Sequence, residues 1–308
     1  MQLLLTDSFG GPSHRLVRWF SPPIVAAIQG DRRLDHGWLL SCLGMRILSW
    51  NVNSLRSRVD LVGRVIDRLE PDVMLLQETK CRDDQLDELR LELFTGRGYQ
   101  IAHHGRDHWN GVAVASRVGL RSVEVGFGGV QQPPFDEARL ITAVVGTGSS
   151  PVRVVSIYVP NGRALDDPHY LYKLVWLERL RGDATARGWI DGPTVLAGDF
   201  NVAPTDSDIY DPRRWRGKKH ASPPERAAIV ALGDLGFVDA ARTLHPDTPE
   251  FTWWNYRQTL ADDRGLRIDL SLISPPLWPR VEACWVDREA RAADRPSDHA
   301  PLITDLID

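Results

Sequence analysis

The chain is poor in cysteine: Cys42, Cys81 and Cys284 are the only three in 308 residues, an odd number without metal-ligand spacing. That excludes a disulfide framework and a cysteine-built zinc centre, and it argues for a reducing, cytoplasmic setting. Long apolar runs are missing too. No stretch approaches the roughly eighteen residues needed to span a bilayer, and Arg18 and Pro22-Pro23 interrupt the N-terminal segment. A membrane partner is therefore not expected. Positive charge is also scarce: 37 Lys and Arg against 41 Asp and Glu leave a net charge of −4, so no long-range field advertises affinity for nucleic acid. Any such contact must come from local patches.

What is present begins with eleven tryptophans and one dense basic run, Arg213, Arg214, Arg216, Lys218 and Lys219, with Trp215 inside it. Such a run suits a phosphate backbone beside a base or sugar, although taken alone it also reads as a solvated loop. Residues 1 to 44 show no sustained helix or strand period and mix Gly10-Gly11-Pro12 with Ser21-Pro22-Pro23. We expect them to be an N-terminal extension, either poorly ordered or the product of a mis-assigned start, with Met45 opening the regular domain at 45–308. From there short β-type runs alternate with helical ones. Ser57 to Leu69 places Val59, Val62, Val65, Ile66 and Leu69 at helical spacing and ends at Pro71. Val73 to Gln77 reads as a buried strand, and Asp83 to Phe94 as a second helix. Leu140 to Val145 and Val152 to Val159 flank a Gly/Ser turn, which predicts a hairpin. Helices are expected near 168–187 and 224–235, and strands at 194–197, 267–273 and 300–306. Hairpins mixed with helices, with no linker, favour two packed, mainly antiparallel sheets flanked by helices over a doubly wound parallel sheet.

Apolar strands in this chain repeatedly end in functional groups. Ile47-Leu48-Ser49-Trp50 runs into Asn51, Met74-Leu75-Leu76-Gln77 into Glu78, and Val195-Leu196-Ala197-Gly198 into Asp199. Val154 to Ile157 leads to Tyr158, Asp269 follows Ile268, and Ser297-Asp298-His299 opens the last strand. A single Asp or Asn after a strand is usually a turn residue, its side chain bonded to nearby backbone. Together these groups supply oxygen ligands for a hard cation plus acid/base side chains, held rigidly by strands fixed in a core.

On these residues the chain resembles the exonuclease III family of the endonuclease/exonuclease/phosphatase superfamily, from Met45 almost to the C-terminus. The segments that carry the resemblance are Ser49-Trp50-Asn51-Val52-Asn53, Leu76-Gln77-Glu78-Thr79-Lys80, Tyr158-Val159-Pro160-Asn161-Gly162 and Gly198-Asp199-Phe200-Asn201. They continue with Thr252-Trp253-Trp254-Asn255-Tyr256-Arg257, Arg264 to Asp269 and Ser297-Asp298-His299-Ala300-Pro301. Asn161 departs from the family, where glutamine is common.

The resemblance implies a four-layer αββα sandwich, DNase I-like, and a Mg²⁺-dependent DNA-repair phosphodiesterase, with Mn²⁺ able to replace Mg²⁺. It implies abasic-site endonuclease, 3′→5′ exonuclease and 3′-end-cleaning activity on double-stranded DNA by a monomer, cytoplasmic and nucleoid-associated when at work. Same-fold enzymes acting on inositol phosphates or sphingomyelin, and a catalytically silent DNA-binding module, remain the alternatives. Residue by residue, it implies that Glu78, helped by Asn51 and Asp298, holds the metal, with Asp199 and Asn201 as a second site if two ions bind. Asp199 and Asn201 would manage the attacking water, Asp269 and His299 would steady a phosphoryl oxygen, and Tyr158 would face the scissile group. Asn53, Arg56, Lys80, Asn161, Arg213, Arg214, Lys218, Trp253, Trp254, Tyr256 and Arg257 are the expected DNA contacts, with one of the two tryptophans facing DNA and the other facing inward.

Overall fold

The computed structural model describes residues 44–308 apart from 129–136, 147–149, 249 and 258–259, and the side chains of Glu88 and Leu91. All described residues fall in one unit, Ser41–Asp308. The expectations for residues 1–43 and for the tip of the 146–151 turn lie outside the described residues. Among the described residues no helix is long and apolar enough to cross a membrane.

The strands are β1 (Gly44–Asn51), β2 (Val73–Gln77), β3 (Gln100–His104), β4 (Val112–Ser116), β5 (Leu120–Val125), β6 (Leu140–Val145) and β7 (Val152–Tyr158). They continue with β8 (Thr194–Asp199), β9 (Val238–Asp239), β10 (Trp253–Trp254), β11 (Gly265–Leu266), β12 (Asp269–Ile273), β13 (Val281–Val286) and β14 (Leu302–Ile307). The helices are α1 (Val59–Leu69), α2 (Asp83–Leu89), α3 (Pro168–Ala186), α4 (Pro212–Trp215), α5 (Pro223–Asp234), α6 (Ala240–Leu244) and α7 (Arg288–Ala292). One six-stranded sheet runs β13-β14-β1-β2-β4-β3 and the other β5-β6-β7-β8-β12-β9, with β10-β11 as a separate ribbon. Pairing is antiparallel except for β1 with β2 and β7 with β8. The predicted hairpin is present as β6-β7, with Leu140 opposite Ile157 and Val145 opposite Val152.

Alternation along the strands sends one set of side chains to each face. Ile47, Val73, Leu75 and Val114 meet Ile141, Val154, Val195 and Ala197 in the core between the sheets. The opposite face of the first sheet, with Leu48, Trp50, Met74 and Leu76, takes Leu61, Val62, Val65 and Ile66 of α1. The opposite face of the second, with Val155, Ile157 and Leu196, takes Trp176, Leu177 and Leu180 of α3 and Ile229 and Leu232 of α5. The result is the four-layer helix-sheet-sheet-helix sandwich. The predicted second helix is α-helical only to Leu89 and continues as a π-helical turn, Arg90–Phe94.

Register places the chemistry. Tyr158 of β7 is the parallel partner of Asp199 of β8, and Asp199 is the antiparallel partner of Asp269 of β12, so three functional groups sit in one row at one sheet end. In the other sheet Asn51 pairs with Gln77, which brings Asn51 and Glu78 together. Gly198 lets β7 and β8 close up beside the Tyr158–Asp199–Asp269 row: its φ is +149° and a Cβ there would meet the Ile157 carbonyl oxygen at 2.0 Å, so no side chain fits between the two strands at this point.

Candidate active site

Local backbone aims the groups. Glu78 (φ 51°), Lys80 (φ 51°), Asn53 (φ 45°) and Asn201 (φ 53°) all adopt the left-handed region as the chain leaves the strands. Asparagine tolerates that conformation, whereas for Glu and Lys it is strained and persists only where surrounding contacts impose it. Those contacts exist: Ser54 N–H donates to Glu78 O at 2.7 Å, Leu55 N–H to Thr79 O at 3.0 Å, and Lys80 N–H to Asn110 O at 2.9 Å. The 297–299 segment is docked on β1 by Ser297, whose hydroxyl donates to Asn51 O at 2.6 Å and accepts the His299 N–H at 3.2 Å.

Asp199 lies at the centre and is buried. Its Oδ1 accepts the Asn201 backbone N–H at 2.8 Å, and its Oδ2 accepts the side-chain amides of Asn51 at 3.0 Å and Asn201 at 3.2 Å. His299 stands between two carboxylates, with Nδ1 2.8 Å from Asp269 Oδ2 and Nε2 3.6 Å from Asp199 Oδ2. Burial raises the Asp199 carboxyl above its ordinary range, with Asp269 and Glu78 adding repulsion and His299 opposing. Burial alone would depress His299, but Asp269 and Asp199 overcome it and raise the imidazolium. The histidine is therefore a charged donor from both nitrogens at neutral pH. Asp269 Oδ1 is buried without a hydrogen-bond partner.

Beside this centre the Glu78 carboxylate accepts the Asn51 amide at 2.9 Å and pairs with Lys80 at 2.7 Å. Burial pushes Glu78 up, but Lys80, Asn51 and His299 outweigh it and keep the acid below its usual value. Asp298 is likewise held ionised against burial by His299, the Trp253 indole N–H (3.0 Å) and the Asn53 amide (2.9 Å). The Tyr158 phenol lies against Glu78 and its pKa is pushed well above 10 by burial, then by Glu78, so it stays protonated.

A divalent cation fits this donor set. Glu78 and Asp298 are ionised oxygen donors, and Asp199 and Asp269 offer carboxylate oxygens within 4.8 Å of each other. The unpartnered Asp269 oxygen and the mutual repulsion of the carboxylates leave negative charge that a cation would neutralise. One expected ligand is corrected. Asn51 turns its nitrogen, not its oxygen, towards Glu78 and Asp199, because its Oδ1 accepts the Asn53 backbone N–H at 3.0 Å. In this arrangement its nitrogen orients the two carboxylates and its oxygen is taken by the Asn53 N–H.

Two expected DNA contacts also change. Trp254 is fully buried against Phe251 and Ala300, so it belongs to the core and the inward role among the pair is its own. Lys80 is turned inward, its ammonium shared between Glu78 and Asn53 Oδ1 at 2.6 Å, which leaves it bracing the site. Trp253 remains half-buried at the rim, edge-on to Trp215 with ring centroids 6.5 Å apart. That contact joins the basic run to the cleft, since Lys218 lies over the Trp215 ring at 5.9 Å while Arg213 and Arg214 stay exposed. Arg56, Tyr256 and Arg257 are exposed. Asn53 links Asp298, Lys80 and the Tyr256 hydroxyl, and Asn161 Nδ2 donates to Asn201 Oδ1 at 3.1 Å.

Sequence reasoning missed two neighbours of Tyr158. Arg139 stacks its guanidinium 4.6 Å over the tyrosine ring and pairs with Glu137 at 2.5 Å. Trp109, 62% exposed, lines a cleft of about 360 Å³ that also contains Tyr158, Asn161 and Arg163. A lone tryptophan in a loop and an arginine at a strand entry carry no motif, so neither position had a signal to find.

The chain is similar to known proteins over most of its length. The model of the endonuclease/exonuclease/phosphatase family matches residues 48–299. The exodeoxyribonuclease III of Haemophilus influenzae is 32% identical over 271 residues, covering 84% of this chain and 98% of that protein. Among solved structures, a 3′-5′ exonuclease from Neisseria meningitidis superposes with a TM-score of 0.79 at 37% identity, covering 86% of this chain and 100% of the other. An AP endonuclease from Archaeoglobus fulgidus gives a TM-score of 0.79 at 35% identity, covering 86% and 99%.

Proposed function

Because the chain belongs to the endonuclease/exonuclease/phosphatase family, we propose that it is a Mg²⁺-dependent DNA-repair phosphodiesterase. It cuts duplex DNA beside abasic sites, removes nucleotides 3′→5′ and cleans blocked 3′ ends. The family is divalent-metal dependent, and the relatives named above are a nuclease, an exonuclease and an AP endonuclease. The observation that carries the reading is the placement of Asp199 between two asparagine amides and a histidine that is itself backed by Asp269.

Asp199 is the base. Its raised carboxyl lets it accept a proton from water near neutral pH, and Asn51 and Asn201 hold its oxygens so that the lone pair facing the cleft is fixed. Asn201 keeps the water in line. His299, charged and oriented by Asp269, donates to a phosphoryl oxygen as negative charge grows there, and a fixed donor in a partly dry site is worth more than one in water. Tyr158 keeps its phenol proton and donates a hydrogen bond to the scissile group as the water oxygen bonds to phosphorus and the bond to the leaving sugar oxygen breaks. Glu78 and Asp298 would hold the Mg²⁺, which supplies charge neutralisation at the phosphate. Trp253, Tyr256, Arg257, Arg56, Arg213, Arg214 and Lys218 form the DNA face, and because its arginines and Lys218 are local cations on an acidic chain, binding weakens steeply with salt. Domain 45–308 carries this activity, and residues 1–44 are an extension to it.

A labelled duplex with one abasic site tests the reading when incubated with Mg²⁺, with EDTA and beside an undamaged control. Cleavage at the lesion that EDTA abolishes is expected. Turnover of an inositol phosphate but not of the duplex, or binding of the duplex without cutting, would replace it.

A further inference from the structure

The roles above leave Lys219 unused. In the sequence it is one more cation of an exposed basic run, but its half-buried side chain turns inward and its ammonium donates to Asn161 Oδ1. The reason lies two residues deeper. Asn201 Nδ2 meets the Val159 carbonyl oxygen at 2.9 Å and Asp199 Oδ2 at 3.2 Å, and the carbonyl oxygen can only accept. The amide nitrogen must therefore face them, and Asn201 Oδ1 must face away. Asn161 meets that oxygen with its own nitrogen, at 3.1 Å, which forces Asn161 Oδ1 outward and leaves it in need of a donor. Lys219, with three N–H groups and no acceptor, satisfies it.

Every hydrogen bond in this series donates in the same direction: ammonium to amide oxygen, amide nitrogen to amide oxygen, amide nitrogen to carboxylate. Bonds aligned in this way polarise one another. Asn201 is anchored differently at its backbone, where Lys173, buried and paired with Glu225, donates to Asn201 O at 2.6 Å. The backbone is thus held from behind by Lys173, whereas the side chain is held at its nitrogen by Val159 and Asp199 and at its oxygen by Asn161, which Lys219 backs. Around the Lys219 ammonium stand Lys173 of α3, Glu225 of α5 and Asp199 of β8. Burial, then Lys173, lower it to about 8 against the pull of Glu225 and Asp199, so the cation persists at neutral pH.

We propose that Lys219 is a positioning residue of the hydrolytic centre: by donating to Asn161 it keeps the Asn161 nitrogen on Asn201 Oδ1 and so supports the Asn201 donor on Asp199. The proposal rests on the reading of Asp199 and Asn201 as the water-handling pair. Two variants test it. Lys219→Met keeps the aliphatic stem and removes the donor, and Lys219→Arg keeps a donor. In ¹⁵N-labelled, metal-free protein the side-chain amide resonances of Asn161 and Asn201 should shift in K219M and return towards wild type in K219R, a readout independent of turnover. With Mg²⁺ and an abasic duplex, K219M should lose about tenfold in kcat, the scale of a misplaced group, while KM stays within about twofold and K219R recovers most of the rate. A phosphate-contacting lysine would instead raise KM and lower the salt slope by about 0.9 at unchanged kcat; that result, unmoved amide resonances, or equal loss in both variants overturns the proposal. If the wild-type protein cuts no duplex, the functional reading fails while the amide resonances still decide the role of Lys219.

Discussion

Arg267 and Asp269 stand two positions apart in the chain, yet each belongs to a different kind of buried charged centre. Arg267 donates to Asp208 at 2.7 Å and to Asp239 at 2.8 Å, and Arg242 also donates to Asp208. Both Asp208 oxygens have donors, the second from Thr205. Burial alone would raise the Asp208 carboxyl, but Arg267, Thr205 and Arg242 overcome it and hold it below its ordinary value. Asp269 instead shares one histidine with Asp199, keeps an unpartnered oxygen, and helps to raise its neighbour. The first centre sets two arginines against two carboxylates, with Arg267 Nη2 and Arg242 Nε left without hydrogen-bond partners, and locks the 205–208 turn to the sheet. The second is left short of positive charge, which is what a site awaiting a proton, a cation and a phosphate requires.

The comparison can be broken first at the unmatched centre. Asp199→Asn should lower kcat on an abasic duplex by roughly 10²- to 10⁴-fold with the circular dichroism spectrum unchanged; near-normal turnover would remove Asp199 from the chemistry. At the matched centre the effect should be on stability. Asp208→Asn leaves Arg267 and Arg242 partly uncompensated and should cost about 3 kcal/mol in urea unfolding, with turnover per folded molecule little altered. A loss of rate without a loss of stability would merge the two centres.

A second pair sharpens the same contrast between support and function. Trp254→Ala should cost about 3–5 kcal/mol, the range for deleting a buried aromatic, whereas Trp253→Ala, at the half-buried rim, should weaken DNA binding more than it weakens the fold. The pH dependence separates the centres with opposite signs. Asp208 has a depressed carboxyl, so its contribution is present above the ordinary carboxylate range and is lost as pH falls through the depressed value. Asp199 has a raised one, so its contribution is present at acid pH and is lost as pH rises towards neutrality. Removing that charge in Asp199→Asn should stabilise the protein at pH 7 by about 1 kcal/mol, the smallest effect in the series.

The strand ends were legible in the sequence because a short apolar run announces a strand and a polar residue after it announces an exit; Asn51, Glu78, Tyr158 and Asp199 fall where that pattern put them, whereas Asp269, expected inside a 267–273 strand, is the first residue of β12. Strand β5 was not legible, since its residues from Arg121 to Val125 are exposed and show no buried alternation. Amide orientation was not legible either. Whether Asn51 presents oxygen or nitrogen to the carboxylates depends on the Asn53 backbone, and only the folded chain shows that the oxygen is taken there. Charge runs misled for a related reason: Lys80 and Lys219 read as surface cations, yet Glu78 and Asn161 draw them inward. Trp253 and Trp254 were identical as letters, and the β10-β11 ribbon with the Trp253 bridge to His299 decided which one is buried.

The difference between the two carboxylate centres is measured most directly by following the side-chain carboxyl carbons of Asp199 and Asp208 by ¹³C NMR through a pH titration of the metal-free protein. Asp199 is expected to titrate above the ordinary carboxylate range and Asp208 below it. Coincident titrations, or the reverse order, would contradict the account of one centre built to stay charged and the other built to take a proton.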